Sequence, residues 1–500
     1  MRLGIDFGTT HTVVAAVDRG NYPVVSFEHG DAIPSVISIE PGTSPATRAG
    51  DERGRLRFGR AEPGWHVVRS LKRLLDGAGP GAEVRVGGQA FAVAALLAGF
   101  LAHVREELVR RSNAGLRTGE PIEAAVSVPA NASTAQRLVT IDAYRRAGFD
   151  VKAVLNAPSA AGLEYAHRFR GTLTSKREYV LVYDLGGGTF DASLIRMEGR
   201  SNEVITSSGV SRLGGDDFDE AIARLVLARR PVAPTSEPTS ETLDEVRDEV
   251  RARKEAVNAN TRRFAVDLGD EHLVLPIEDV YEACAPLVEQ TLAAMEGAMS
   301  DPRRGEDPVP WSELAGIYVV GGASAFPPVH RRLRERFGAH RVRRSQYPFG
   351  SCAIGLAIHL DASAGYQLSD RLTRNFGVFR ESEAGELISF DVLVPKDTPL
   401  PAEVSRRYRA AHNVGHYRFV ECGRIEQGRP DGNLAAWDEV LFPFDPALRQ
   451  ADLAGARIRR LEAPGPHVEE VYRCAADGTV EASLRVLDDG FQRTVRLAPR

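Results

Sequence analysis

The chain has 500 residues, enough for about three to five domains at the usual domain size, so a single small module is excluded. Hydrophobic residues make up 43% and charged residues 26%, which is typical of soluble globular proteins and excludes collagen-like, disordered and membrane-spanning compositions. Because 63 Lys and Arg stand against 68 Asp and Glu, the net charge of -5 gives no general attraction to nucleic acid or to an anionic membrane. We therefore expect neither of these as a partner.

Two observations predict a cytoplasmic protein. The first residues lead directly into a strand pattern, without the basic and apolar regions of a secretory signal. The four cysteines form no Cys-x-x-Cys pair, so we expect free thiols rather than a disulfide framework or a zinc site.

Two strand–turn–strand units with the same plan lie far apart in the first part of the chain. The first has strands at residues 3–5 and 13–17 around a turn at 6–10, and the second has strands at 179–183 and 190–195 around a turn at 184–189. A repeat at such a long interval predicts a duplicated pair of lobes rather than a solenoid of short repeats.

Strands and helices alternate up to about residue 360. Residues 124–128 resemble a strand, and Ser133 with Gln136 forms a capping-box pattern that predicts a helix ending near Gly148. A Pro-rich loop at 231–238 precedes a charged helix at 241–258, and a strand at 317–320 is followed by helices at 327–337 and 350–360. This alternation predicts an α/β domain over residues 1–360.

Beyond about residue 370 the pattern changes to short alternating strands. Residues 387–394, 417–422 and 468–474 are such strands, and Asp477-Gly478 is typical of a hairpin turn. We therefore expect a separate all-β domain over residues 371–500, joined by a linker at 361–370.

The two repeated turns carry the chemistry that this sequence offers. Gly-rich turns after strands expose successive backbone N–H groups, which is how a backbone cradles phosphate. Asp6 and Asp184 precede the two turns and would face each other if the lobes are related by pseudo-symmetry. Two carboxylates suit a hydrated Mg²⁺, and Asp191 is a further candidate because it projects to the same side of its strand as Thr189.

Either turn alone would be interpreted as an ordinary tight hairpin. The sequence also contains Gly214-Gly215-Asp216 and Gly321-Gly322, and four such turns make coincidence improbable.

Four motifs resemble the DnaK-type 70-kDa heat-shock chaperones, which belong to the actin and sugar-kinase superfamily. They are GIDFGTTHTVVA at 4–15, VYDLGGGTFDAS at 182–193, LGGDDFD at 213–219 and YVVGGAS at 318–324. DLGGGTFD is close to diagnostic for the chaperones over the kinases. The resemblance runs through residues 1–360 and, more weakly, through the β region. It implies an α/β actin-like, two-lobed ATPase domain followed by an all-β sandwich.

The resemblance also implies ATP or ADP with Mg²⁺ as cofactors and assigns roles residue by residue. Asp6 and Asp184 match carboxylates that hold Mg²⁺ through water, and Lys72, Asp191 and Thr189 match the catalytic groups. Lys72 is one of only five lysines in the chain, so its place in the motif carries weight. The implied nucleotide contacts are Gly8, Thr9, Thr10, Gly186, Gly187, Gly188, Thr189, Gly214, Gly215, Lys254, Gly321, Gly322 and Ala323.

Departures from the family pattern affect signalling and the nucleoside end. Pro129 and Arg137 match the family's relay residues, but Ala157 replaces the glutamate that links Mg²⁺-bound water to the relay proline. Near the nucleoside, Ala325 replaces an arginine, Arg251 a glutamate, Asn258 a serine and Phe349 an aspartate. Phe349 could stack on adenine as a substitute, although a core aromatic is the preferred interpretation.

These features favour a divergent ATP-dependent chaperone that slowly hydrolyses ATP and binds unfolded or extended polypeptide, with a co-chaperone or nucleotide-exchange factor as a further partner. The alternative, favoured by Ala157, is a regulatory or scaffold protein that binds nucleotide without hydrolysis. A small-molecule kinase is disfavoured by DLGGGTFD. No helical pattern follows the β region, so we expect no helical lid. The polar linker replaces the family's acidic, leucine-rich one and is not expected to pair with a sheet.

Overall fold

A computed structural model describes residues 1–43, 55–76, 81–230, 240–269, 271–304, 307–382, 387–432, 434–475 and 478–498. The predicted Pro-rich loop and Asp477 of the predicted hairpin turn lie outside these ranges. The chain forms two compact units. The first comprises Met1–Leu74, Glu83–Ala130 and Ala143–Leu368, and the second comprises Leu75–Ala82, Asn131–Asp142 and Ser369–Arg500.

The helices and strands up to residue 369 alternate as the sequence predicts. The helices are α1 (Val93–Arg110), α2 (Thr134–Arg146), α3 (Ala157–Arg168), α4 (Gly215–Ala228), α5 (Ser240–Glu255), α6 (Ile277–Gly297), α7 (Pro327–Phe337) and α8 (Ser351–Leu360). The strands are β1 (Arg2–Phe7), β2 (His11–Ala16), β3 (Ile33–Pro34), β4 (Ile37–Ile39), β5 (Leu56–Phe58), β6 (His66–Val68), β7 (Glu83–Val86), β8 (Gln89–Ala92), β9 (Glu123–Val128), β10 (Asp150–Asn156), β11 (Tyr179–Leu185), β12 (Phe190–Glu198), β13 (Ser201–Val210), β14 (Arg263–Leu268), β15 (Glu271–Pro276), β16 (Leu314–Val320), β17 (Val342–Arg344) and β18 (Gln367–Ser369).

Two sheets of the first unit share one plan. Their strand orders are β10-β9-β1-β2-β3 and β17-β16-β11-β12-β13-β18. In each sheet the strand that ends in the predicted turn, β1 or β11, pairs antiparallel with the next strand and parallel with a later one, β9 or β16. The predicted duplication of lobes is therefore confirmed.

Glycines bring helix α8 close to its neighbours. A Cβ on Gly4 of β1 would lie 2.2 Å from the carbonyl oxygen of Ala353, and a Cβ on Gly355 would lie 1.7 Å from that of Ala160 in α3. Side chains at these positions would collide with backbone, so the buried centre of this lobe depends on both glycines.

Local predictions mostly hold. The capping box is confirmed, since the Ser133 N–H donates to Gln136 Oε1 at 2.8 Å and the Gln136 N–H donates to Ser133 Oγ at 3.2 Å. The charged helix ends at Glu255 rather than 258, because Asn258 and Thr261 form a local turn in which the Asn258 N–H donates to Thr261 Oγ1.

The prediction that the polar linker would not pair with a sheet was wrong. Residues 367–369 form strand β18 at the edge of the six-stranded sheet, beside β13. The Gln367 N–H donates to the Arg200 carbonyl oxygen at 2.9 Å. Strand pairing uses backbone groups, so a polar sequence joins a sheet edge as well as a leucine-rich one.

The second unit contains two antiparallel sheets that share one core, which confirms the predicted β-sandwich. The strand orders are β20-β19-β22-β25 and β21-β26-β27-β28, and the core joins Phe376 and Phe442 of the first sheet to Val468 and Leu484 of the second. The strands beyond residue 369 are β19 (Asn375–Ser382), β20 (Leu387–Val394), β21 (Ala402–Arg409), β22 (Val414–Cys422), β23 (Arg424–Glu426), β24 (Arg429–Asp431), β25 (Ala435–Pro443), β26 (His467–Cys474), β27 (Val480–Val486) and β28 (Gln492–Leu497). Trp437 of β25 is buried, its ring centroid 4.8 Å from that of Phe376.

A buried polar network joins the two sheets of the sandwich. Glu470 of β26 is 0% exposed and accepts hydrogen bonds from Arg380 Nη2 at 2.7 Å and from the Tyr472 hydroxyl at 2.8 Å. The Tyr408 hydroxyl also donates to Glu470, and burial beside this carboxylate raises the Tyr408 pKa. Arg380 therefore lies between β19 and β26, with its charge matched by Glu470 and by Asp391 at 2.7 Å.

All four cysteines are buried and none forms a disulfide, so they are thiols as the sequence predicts. Within the described ranges, no helix is both long enough and apolar enough to cross a membrane.

Candidate functional site

A cleft of about 560 Å³ opens in the first unit where strands β1, β11 and β16 end. This volume lies in the range of pockets that bind small molecules and cofactors. The structure brings to the cleft the predicted residues Asp6, Gly8, Thr9, Thr10, Lys72, Asp184, Gly186, Gly187, Thr189, Asp191, Gly215, Lys254, Gly321, Gly322 and Ala323. Gly188 and Gly214 do not line it but contact the turns that do.

The two repeated turns have the same hydrogen bond and lie against each other. The Gly8 N–H donates to the His11 carbonyl oxygen, and the Gly186 N–H donates to that of Thr189, both at 3.0 Å. A Cβ on Gly187 would lie 2.5 Å from Thr10 Cγ2. The second turn therefore depends on glycine to approach the first.

The other two Gly-rich turns close around the second turn. The Gly215 N–H donates to the Gly186 carbonyl oxygen at 3.0 Å. A Cβ on Gly214 would lie 2.7 Å from the carbonyl carbon of Gly187. Gly321 has a φ of +83°, and a Cβ there would lie 2.6 Å from Asp184 Oδ1. Backbone thus surrounds the cleft on several sides, which is the arrangement that phosphate groups require.

The tight backbone contact at Gly214 leads to a testable prediction. Replacing Gly214 with alanine places Cβ against main-chain atoms that no rotamer change can move, so we expect nucleotide affinity to fall by at least about tenfold. Titration with ATP and Mg²⁺ measures the effect. Gly171→Ala is the matched control, because a Cβ there meets nothing within 4 Å. Equal affinities in the two variants would contradict the assignment of this turn.

Three carboxylates, those of Asp6, Asp184 and Asp191, line the cleft. Asp184 is half-buried, and desolvation together with the nearby charges of Asp191 and Asp6 raises its pKa to about 7, while the Lys72 ammonium opposes the rise. Like charges gathered in a buried place are costly unless a cation compensates them.

The donor set fits a hydrated Mg²⁺ better than a directly coordinated ion. Among the residues that the structure describes, no three His, Cys, Asp or Glu side chains converge closely enough to hold a metal ion themselves. Mg²⁺ usually keeps several waters and takes one or two carboxylates, with the substrate's phosphates completing its shell. Asp6 from one lobe and Asp184 and Asp191 from the other, all lining the cleft, suit this mode.

The sequence analysis missed three residues that hold the site together. The Ser127 hydroxyl donates to Asp6 Oδ1, and Arg73 donates to the Gly188 carbonyl oxygen at 2.9 Å. The Cys352 thiol donates to Asp184 Oδ2 at 3.6 Å, and burial beside acidic groups raises its pKa well above the usual value. Arg73 is next to Lys72 in the sequence, and this position could have identified it as a site residue. No local sequence pattern indicates Ser127 or Cys352.

At the outer end of the cleft, acidic partners neutralise two cations. Lys254 Nζ lies 2.6 Å from Asp219 Oδ1 and donates to the Gly215 carbonyl oxygen at 2.8 Å. Arg251 pairs with Asp216 at 2.9 Å and with Asp219 at 3.0 Å.

Asn258, predicted near the nucleoside, does not line the cleft. Its side-chain oxygen accepts a hydrogen bond from the Asn260 N–H at 2.9 Å, within its own turn.

Phe349 is not a core residue, so the preferred interpretation of this aromatic was wrong. Its side chain is 54% exposed and lines the cleft. A Cβ on Gly322 would lie 2.3 Å from Phe349 Cε1, so the ring rests on this glycine. The His11 ring lies edge-on to it, with the centroids 6.3 Å apart. Burial lowers the pKa of His11.

The first unit is a two-lobed α/β protein with a Gly-lined cleft between its lobes, and the second unit is a β-sandwich appendage. A family model described as Hsp70 protein matches residues 67–373, and the chain belongs to the Hsp70 family. Members of this family bind ATP or ADP.

Curated relatives are similar over the whole chain. A chaperone protein HscA homolog of Azotobacter vinelandii is 28% identical over 531 residues, covering 100% of this chain and 78% of that protein. Homologs of the same description from an Azoarcus species and from Pseudomonas fluorescens are each 27% identical, with the same coverage.

Proposed function

We propose that this protein is a divergent ATP-dependent chaperone whose first unit binds ATP with Mg²⁺ and hydrolyses it slowly, and whose β-sandwich binds extended polypeptide. The observation that carries the proposal is the pair of Asp-x-Gly turns, in contact with each other and facing one cleft with Asp6, Asp184, Asp191 and Lys72 on its walls.

Each group has a role in the proposed hydrolysis. The backbone of the Gly-rich turns binds the phosphates, and the hydroxyls of Thr9, Thr10 and Thr189 add donors. Asp6 and Asp184 would hold Mg²⁺ through water, and the ion would supply charge neutralisation. Lys72, next to these carboxylates, orients the attacking water and the γ-phosphate. Catalysis is then mainly positioning and electrostatic stabilisation.

Peptide binding is proposed for the edges of the sandwich. Strands β20 and β21 are edge strands of their sheets, and an edge offers backbone N–H and C=O groups to an extended chain. Leu387 and Ile388 at the start of β20 are 50% and 63% exposed, so apolar side chains accompany these backbone groups. A co-chaperone or a nucleotide-exchange factor is a further proposed partner.

A second candidate function is a nucleotide-binding regulator without significant hydrolysis. Ala157 favours it, because the side chain at this buried position has no carboxylate to link the metal site to Pro129. The two candidates share the nucleotide site and differ in turnover and in whether the β-sandwich binds polypeptide.

Magnesium dependence tests the shared site. Asp184→Asn removes one charge from the carboxylate cluster, and we expect it to weaken ATP binding about tenfold in the presence of Mg²⁺ and little in excess chelator. Calorimetric titration measures both conditions. Asp150→Asn, at an exposed position on β10, is the control. The proposal fails if the wild-type protein binds ATP equally well with Mg²⁺ and with chelator.

A further inference from the structure

We propose that Phe349, backed by His11, forms the surface against which the nucleoside packs, so that the site holds nucleotides by ring contact and accepts adenine and guanine alike. This inference rests on the proposed nucleotide function and specifies which part of the ligand the outer end of the cleft recognises.

The first argument is the exposure of the Phe349 ring. When a ligand covers a large apolar side chain that is exposed inside a cleft, apolar surface is removed from water and the complex is stabilised. An aromatic face suits a purine or a sugar. Over half of the Phe349 side chain is exposed, while its other side is supported by Gly322 and His11.

The second argument is that the ring is held in place. Phe349 lies in the turn before α8, which is closed by the Gly350 N–H donating to the Tyr347 carbonyl oxygen at 2.8 Å. The Gly321 N–H donates to the Pro348 carbonyl oxygen at 2.9 Å, which ties the same turn to the end of β16. A ligand therefore meets a surface that is already ordered, and binding costs less conformational entropy.

The third argument concerns the cations nearby. Arg251 and Lys254 are each matched by buried or half-buried carboxylates, so neither is offered to a base as a stacking guanidinium or a hydrogen-bond donor. Ala325 presents only a methyl group at this end of the cleft. Packing on Phe349 is then the main source of affinity for the nucleoside.

The remaining side chains at this end exclude neither purine. The Glu255 carboxylate lines the cleft and accepts hydrogen bonds from ribose hydroxyls, from the adenine amino group or from the guanine N–H groups, so it finds a donor on either base. The Gln346 side-chain oxygen accepts a hydrogen bond from Arg168. Strong discrimination between adenine and guanine needs a buried polar group that pairs with one base and is left unpaired by the other. Val257 and Ala325 have apolar side chains and provide no such group.

The test compares three probes on the full chain: ATP, GTP and inorganic tripolyphosphate, each with Mg²⁺. Phe349→Ala is expected to weaken ATP and GTP about 5- to 10-fold, as for loss of one ring stacked on a base, and to leave tripolyphosphate within about twofold. Phe349→Leu keeps apolar bulk without the aromatic face and should lie between. In the wild type, ATP and GTP should bind within about tenfold of each other.

The outcomes separate this inference from the proposed function. Three results would each overturn the inference but not the phosphate site. ATP affinity could be unchanged in Phe349→Ala, or tripolyphosphate affinity could fall in this variant as much as ATP affinity. The wild type could also prefer ATP over GTP by about 100-fold. If wild type binds neither ATP nor tripolyphosphate, the proposed function fails and the inference fails with it.

Discussion

Lys72→Ala is expected to slow single-turnover ATP hydrolysis by about 100-fold while changing ATP affinity by no more than about threefold. The Lys72 ammonium lies close enough to the carboxylates to lower the pKa of Asp184, and in the proposed mechanism it stands where charge develops as the γ-phosphate is attacked. Removing a preorganised donor of this kind typically costs two to three orders of magnitude in rate. An interaction made mainly in the transition state lowers turnover without weakening ground-state binding.

The control for this prediction is another of the few lysines. Lys176→Ala removes an exposed ammonium from a loop outside the cleft and should leave turnover unchanged. Equal rates in Lys72→Ala and wild type would remove Lys72 from the mechanism. A wild-type rate no higher than uncatalysed hydrolysis would favour the non-hydrolysing regulator instead.

Glu470→Ala is expected to lower the free energy of unfolding of the second unit by about 3–5 kcal/mol. The substitution removes the fully buried partner of Arg380, which keeps only Asp391, and takes the acceptor from the Tyr408 and Tyr472 hydroxyls. Breaking a buried pair from one side and leaving buried hydroxyls without their acceptor costs this much. Differential scanning calorimetry of the full chain would show the corresponding transition at lower temperature.

The neighbouring residue provides the control. Glu469 lies on the same strand but points outward and pairs with Arg407, whose side chain is 72% exposed. Exposed pairs contribute about 1 kcal/mol or less, so Glu469→Ala should shift the transition little. If both variants lose the same stability, the buried network does not stabilise the sandwich.

Much of the fold could be predicted from local patterns. Buried strands such as β1 and β11 consist almost wholly of apolar residues and end in Asp-x-Gly. Both the ends of these strands and their duplication could therefore be predicted from the sequence. Helix α2 was visible from its capping box, and β20 from its length and composition. These elements depend on neighbours in sequence, which a single chain displays.

The unpredicted features depend on contacts between distant segments. Cys352 reaches Asp184 because the first turn of α8 lies beside the end of β11, and the sequence around residue 352 does not indicate this contact. Phe349 was misjudged because composition favours burial of phenylalanine, whereas the turn before α8 places it at the cleft. Strand β18 was missed because side-chain polarity does not determine backbone pairing at an edge.

The buried position of Trp437 makes its fluorescence a probe of the folding of the sandwich. The chain has three tryptophans, and the other two, Trp65 and Trp311, belong to the first unit and are only partly buried. Phenylalanine at positions 65 and 311 would leave one indole, 2% exposed and packed on Phe376. Its blue-shifted emission would report unfolding of the second unit alone, so the two units could be followed separately in one intact chain.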